Sequence, residues 1–298
     1  DQIVALGQRQ VQSLTSAQIS VMSTAQVAAI ETIDLAAMST NQIVAFGPSQ
    51  ISAMSTDQIA GLRRAQVSIL TNEQLGALDT TQIEAIEAFD IVGMTSRQFN
   101  ALSTQQIQSL TSGQITAMLP IHFGNLSVEN LAALTTDQVK VIPTSGIGAL
   151  TSGQTSALST GQLDAMTSAQ VQSLRADVLT AMSSEQISNL STDHIVSLTQ
   201  TQFEAFTPDQ ITWFTTEQFA AIETRDIAAL SAQQVANITT DQIGAMTTDQ
   251  VQAIETRDLI SMTTEQIVAF DTAQIADLTG NQVAALFATQ VSAMTTDQ

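Results

Sequence analysis

The chain has 298 residues, a net charge of −20, 44% apolar residues and only 4% aromatics. One lysine (Lys140) and seven arginines are too few to neutralise phosphates or an anionic bilayer, which argues against nucleic acid and membrane surfaces as partners. The absence of Cys excludes disulfides, thiolate metal sites and thiol nucleophiles, and no run of about 18 apolar residues exists to insert into a membrane.

From Asp1 to Gln298 the sequence repeats every eight residues without insertion or deletion, as in 55–62 (STDQIAGL), 71–78 (TNEQLGAL) and 247–254 (TTDQVQAI). The first position is Ser or Thr in 24 of 37 octads, and the fourth is Gln in 29 of 38. The fifth is apolar except at Thr155, and the eighth is Leu, Met, Ile or Phe throughout. A single long helix does not fit, because eight residues advance roughly 800° and the apolar face drifts by about 80° per octad. A β-solenoid rung fits poorly too, since the fifth and eighth positions would face opposite sides of a strand.

A short capped helix in each octad accounts for more. Ser or Thr at the first position is an N-cap, and Gln three residues later completes a capping box. Met54 before the cap and Ile59 after it have the spacing of a hydrophobic staple. Pro48, Pro120 and Pro208 fall on the second position, the first helical residue, where proline is favoured; only Pro143 falls on a cap. Of the 28 acidic residues, 24 sit in the first four positions, where the helix dipole stabilises negative charge, so capping explains most of the acidity. Helices of less than two turns are unstable alone in water and must be held by their neighbours. The expected fold is therefore all-α, a superhelical solenoid of about 37 short capped helices, with positions five and eight inward and the small seventh position at the close contacts. Because the sequence opens and closes in mid-repeat, residues 1–298 are expected to form one continuous array taken from a longer one.

In chain order, the first departure is Glu31-Thr-Ile-Asp34, where a Glu/Asp pair replaces the usual cap and Gln; it recurs at Glu87–Asp90, Glu223–Asp226 and Glu255–Asp258, each time after an Ile. Paired carboxylates make these eight residues candidate Ca²⁺ ligands, since Ca²⁺ takes several oxygens. The alternative is a variant turn in which Glu and Asp make the same local bonds as the box. Residues 119–130 and 143–148 keep register but lose the consensus caps, and Pro120, Gly124, Pro143, Gly146 and Gly148 mark them as the expected bends. His122 and His194 stand at the Gln position, 72 residues apart and with no second His or Cys beside them, which reads as substitution for a capping Gln. Phe203, Phe206, Phe214 and Phe219 fall on core positions, while Trp213 takes an Ala position and is expected at the surface. No nucleophile can be singled out among the many Ser and Thr, so neither an enzyme nor a bound cofactor is expected.

The segment 206–212 (FTPDQIT) resembles the opening helix of transcription-activator-like effector repeats, without that family's second helix. Over its whole length the chain resembles the octapeptide arrays of very large bacterial surface or secreted adhesin-like proteins, on motifs such as Thr239-Thr-Asp-Gln-Ile-Gly-Ala-Met246 and Thr295-Thr-Asp-Gln298. That resemblance implies an extracellular, bacterial cell-surface scaffold, stalk or filament component that self-associates or continues into further repeats. The alternative is a binding module that presents its Thr/Asp/Gln surface to a protein or glycan.

Overall fold

The computed structural model describes residues 6–298, which hold 36 short α-helices and no strand. The octad 239–246 shows how eight residues build one helix. Thr239 is extended (φ −72°, ψ 158°), and its hydroxyl accepts the Gln242 N–H at 3.2 Å while Gln242 Oε1 accepts the Thr239 N–H at 2.9 Å. This reciprocal pair satisfies two of the amide groups that a helix start leaves open. The helix Thr240–Ala245 follows, and Met246 returns to an extended conformation (φ −64°, ψ 141°), which ends it and aims the chain at the next cap. No described residue has positive φ, so the turns need no glycine. Pro48, Pro120 and Pro208 occupy first-turn positions, and Pro143 is an N-cap whose own φ of −57° suits the extended cap conformation.

From Val27 to Phe270 the fifth and eighth positions form the core. Ile51, Ile59, Leu75 and Ile243 are at most 1% exposed, and Met54, Leu62 and Leu78 at most 4%. Each such side chain contributes about 1.5–3 kcal/mol on burial, enough to hold helices that no local propensity would sustain. Thr155, the one polar residue at position five, is fully buried and satisfies its hydroxyl on the Thr151 carbonyl at 3.3 Å.

Contacts cluster into two compact units, Asp1–Leu150 and Thr151–Gln298. In each, helices three octads apart in sequence pack side by side, for example Thr80–Ala85 on Thr56–Ala60 and Thr240–Ala245 on Thr216–Ala220. Hydrogen bonds between successive turns join residues 25 to 31 positions apart, so one superhelical turn takes between three and four octads. No described helix is long and apolar enough to cross a membrane. In the second unit the Phe203, Phe206 and Phe214 rings meet at 5.1–6.0 Å between centroids as a thickening of the core, and Trp213 beside them is half-buried.

Candidate functional site

The fourth position carries the chemistry of this fold. Gln242 is 1% exposed: beyond its local bond to Thr239, its Nε2 donates to the Ile211 and Phe214 carbonyls, both at 2.8 Å, in the octad four earlier. The same pattern joins Gln114 to Ile83 and Ile86, and Gln218 to Ile187 and Leu190. One amide thus caps its own helix with the oxygen and ties it to the previous turn with the nitrogen. Capping alone accounts only for the first half. The cross-turn half has a signature in the sequence, because capping boxes accept Glu as readily as Gln, yet no fourth position is Glu. A carboxylate there would confront carbonyls with no proton to offer.

Substitutes at this position reproduce the bonds to differing degrees. Asn130, one methylene shorter, still bridges the Phe99 and Leu102 carbonyls at 3.1 and 3.2 Å. Its amide makes no back-bond to the cap, and Asn100 from the previous turn accepts the Ser127 N–H at 2.7 Å instead. Asn100 also donates to the Asn125 carbonyl, so two asparagines 30 residues apart share the work of one Gln. His122 accepts the Leu119 N–H on Nδ1 at 3.1 Å and lies 4.9 Å from the Phe99 ring. Burial holds its pKa below the usual imidazole value, against a hydrogen bond to the Met94 backbone that raises it. His194 keeps the cross-turn bond, with Nε2 2.7 Å from the Met166 carbonyl, but its Nδ1 is buried without a partner. Gly146 leaves the position empty for the Phe123 ring: a Cβ there would lie 2.6 Å from Phe123 Cδ2.

The four Glu/Asp octads depart furthest. Asp34, Asp90, Asp226 and Asp258 are all buried at the Gln position, whereas Glu31, Glu87, Glu223 and Glu255 occupy the N-cap without a capping hydrogen bond. The variant-turn expectation, in which Glu and Asp remake the local bonds, is therefore not what these octads hold. Their N-cap ψ angles are 142–146°, against 153–165° where Ser or Thr completes a box with Gln. Arg225 lies 2.8 Å from Glu223 and 3.4 Å from Asp226, and Arg257 stands 2.7 Å from Glu255 and 3.5 Å from Asp258. Both oxygens of Asp226 and Oδ2 of Asp258 nevertheless lack a hydrogen bond.

Burial pushes the Asp226 and Asp258 carboxyls above the usual range; Arg225 and Arg257 oppose it, and Glu223 and Glu255 add to it. Asp90 is raised by burial too, in part offset by the Arg64 backbone, and the Arg64 guanidinium lies 5.6 Å from the centre of the exposed Phe89 ring. Open surface hollows lie over Glu223–Arg225, facing Thr247 and Asp249, and over Glu255–Arg257, facing Thr279 and Asn281. The Ca²⁺ expectation finds no carboxylate cluster: among the described residues no three His, Cys, Asp or Glu side chains gather to hold a metal.

Four stretches of this chain match the ALTTAQ repeat. They are residues 27–64, 83–119, 219–254 and 251–288. Each match begins four residues before the Glu of a Glu/Asp octad. Each also contains one closed turn. Gln58 donates to the Val27 and Ile30 carbonyls, Gln114 to Ile83 and Ile86, Gln250 to Phe219 and Ile222, and Gln282 to Val251 and Ile254. The first residue of every ALTTAQ match, and the Ile that precedes its Glu, are thus among the acceptors that its last full octad ties back to. No curated protein matches the chain.

Proposed function

We propose that this repeat protein acts as an extracellular scaffold or spacer, a stalk or filament component at a bacterial cell surface that catalyses no reaction. The observation that carries the reading is the closed turn: each ALTTAQ match is tied to its own start by one buried Gln amide, so a turn is a unit that adds length without needing a new kind of contact. Composition supports the placement, because a chain without Cys and rich in Ser, Thr and Gln has no chemistry that depends on a reducing compartment. The test is a length series. Chains extended by further copies of residues 219–250 should lengthen by a constant increment per copy in small-angle scattering, and growth as a compact particle of rising girth contradicts the spacer. For location, protease added to intact cells should cleave the native protein; full protection would overturn the extracellular part.

A second reading, a binding module for a protein or glycan, is favoured by the two hollows over Glu223–Arg225 and Glu255–Arg257, which set carboxylates, a guanidinium and hydroxyls side by side. Binding to a glycan panel that is lost on Thr247→Ala with Asp249→Ala would favour that module over the spacer.

A further inference from the structure

We propose that Asp226 and Asp258 are proton-operated joints: when protonated, each carboxyl donates across the turn to carbonyls that a Gln amide holds in other octads, and when ionised it leaves that joint unmade. The register names the acceptors. The fourth-position Gln amides reach the carbonyls 31 and 28 residues earlier, which for Asp226 are Ile195 and Leu198 and for Asp258 are Ile227 and Leu230. Asn130 shows that so short a side chain spans the gap, since its Nδ2 bridges the Phe99 and Leu102 carbonyls. A neutral Asp has the shape of Asn and one O–H to give; an ionised Asp has only acceptors, set against acceptors.

Burial makes the difference consequential. Asp226 is fully buried with neither oxygen hydrogen-bonded, and Asp258 is 3% exposed with Oδ2 not hydrogen-bonded. The nearby arginines form ion pairs at 3.4 and 3.5 Å that leave these oxygens without a hydrogen bond.

The charged neighbours are few. On its own helix Asp226 has Arg225, with Glu223 at the cap; the helices packed on either side carry Glu204 and Asp249, and the helix that holds its acceptors carries Asp193 and His194. Asp258 has Arg257 and Glu255; its flanking helices Ala232–Val235 and Gly280–Ala285 carry no titratable side chain, and the helix that holds its acceptors carries Arg225 and Asp226. The sign follows from burial, which makes the folded state bind these protons more readily than the unfolded chain, whose carboxyls titrate near 3.8. The ionised joint costs stability at neutral pH, and the cost disappears as pH falls through the raised folded values towards 3.8.

The inference does not rest on the spacer reading, and thermal melting of the whole chain from pH 7 to pH 4 tests it. The double variant Asp226→Asn/Asp258→Asn should melt on the order of 2–4 °C above the parent at pH 7, and the gap should close towards pH 4. Parallel melting profiles, or a variant that melts lower at pH 7, overturn the proposal. Gln242→Asp is the converse: relative to Gln242→Asn it should create a new deficit at neutral pH that shrinks on acidification, and a constant deficit overturns the proposal. Calcium chloride at pH 7 is the third arm. No change in parent Tm supports the proton, whereas a rise present in the parent and absent from the double Asn variant overturns it in favour of a bound cation.

Discussion

The octads 239–246 and 223–230 belong to the same compact unit and share a core, yet they treat the same position in opposite ways. In the first, Gln242 closes its own cap and bonds twice to the previous turn. In the second, Asp226 is buried as deeply, the Glu223 side chain makes no capping hydrogen bond, and neither carboxylate oxygen of Asp226 makes a hydrogen bond. Packing is therefore enough to form the helix, because Ile227 and Leu230 are each 1% exposed, as Ile243 and Met246 are at most 5%. What Gln adds is the tie between turns. The fold sets the octad, and the fourth position sets how firmly each turn is held.

The sharpest way to break this contrast is Gln242→Glu, which keeps the cap acceptor and nearly the same shape but removes both cross-turn donors. It should cost about 3 kcal/mol or more at neutral pH, because a charge would be buried against carbonyls. Urea denaturation reads this, and a loss under about 1 kcal/mol would show that the cross-turn bonds carry little. Gly146→Ala fills the one fourth position left open for an aromatic ring; its Cβ would overlap Phe123, and about 1–3 kcal/mol of overpacking strain should appear in the same measurement. The caps come next. Thr239→Ala should cost about 1 kcal/mol, while Glu223→Ala, at a cap whose side chain makes no capping hydrogen bond, should stay within about 0.5 kcal/mol.

The smallest expected effect is that of His122, and it runs opposite to the aspartates. Its folded pKa is lowered, so the unfolded chain binds the proton first, and stability present above 6.5 is lost as pH falls through 6.5 to the folded value. Protonation would also need the Nδ1 lone pair that accepts the Leu119 N–H. His122→Gln should flatten the stability profile between pH 7 and 5, and identical profiles for variant and parent would place His122 outside this linkage.

Much of the fold can be read from one octad. The N-caps, the capping box, the proline positions and the fifth- and eighth-position core depend on residues within eight of one another, and from Val27 to Phe270 the core stands as the pattern implies. The tie between turns was hidden, because its partners lie 28 to 31 residues away and its acceptors are backbone carbonyls, which carry no residue signature. The exchange between Asn100 and Asn130 is invisible for the same reason. The Glu/Asp octads stood out in sequence, as candidate Ca²⁺ ligands or a variant turn; the burial of their aspartates follows from the Gln position turning inward, which a capping role alone does not require.

The bonds that tie one turn to the next span 25 to 31 residues, wherever along the array they fall. Every turn added thus closes a loop of nearly the same length, so the entropy of closure does not grow with the size of the protein. Folding of such a chain is expected to start at any well-tied turn and spread by short searches, with a rate set by the turn and not by the whole. Turns that contain a Glu/Asp octad are then the natural points for propagation to pause, and for unravelling under load to begin.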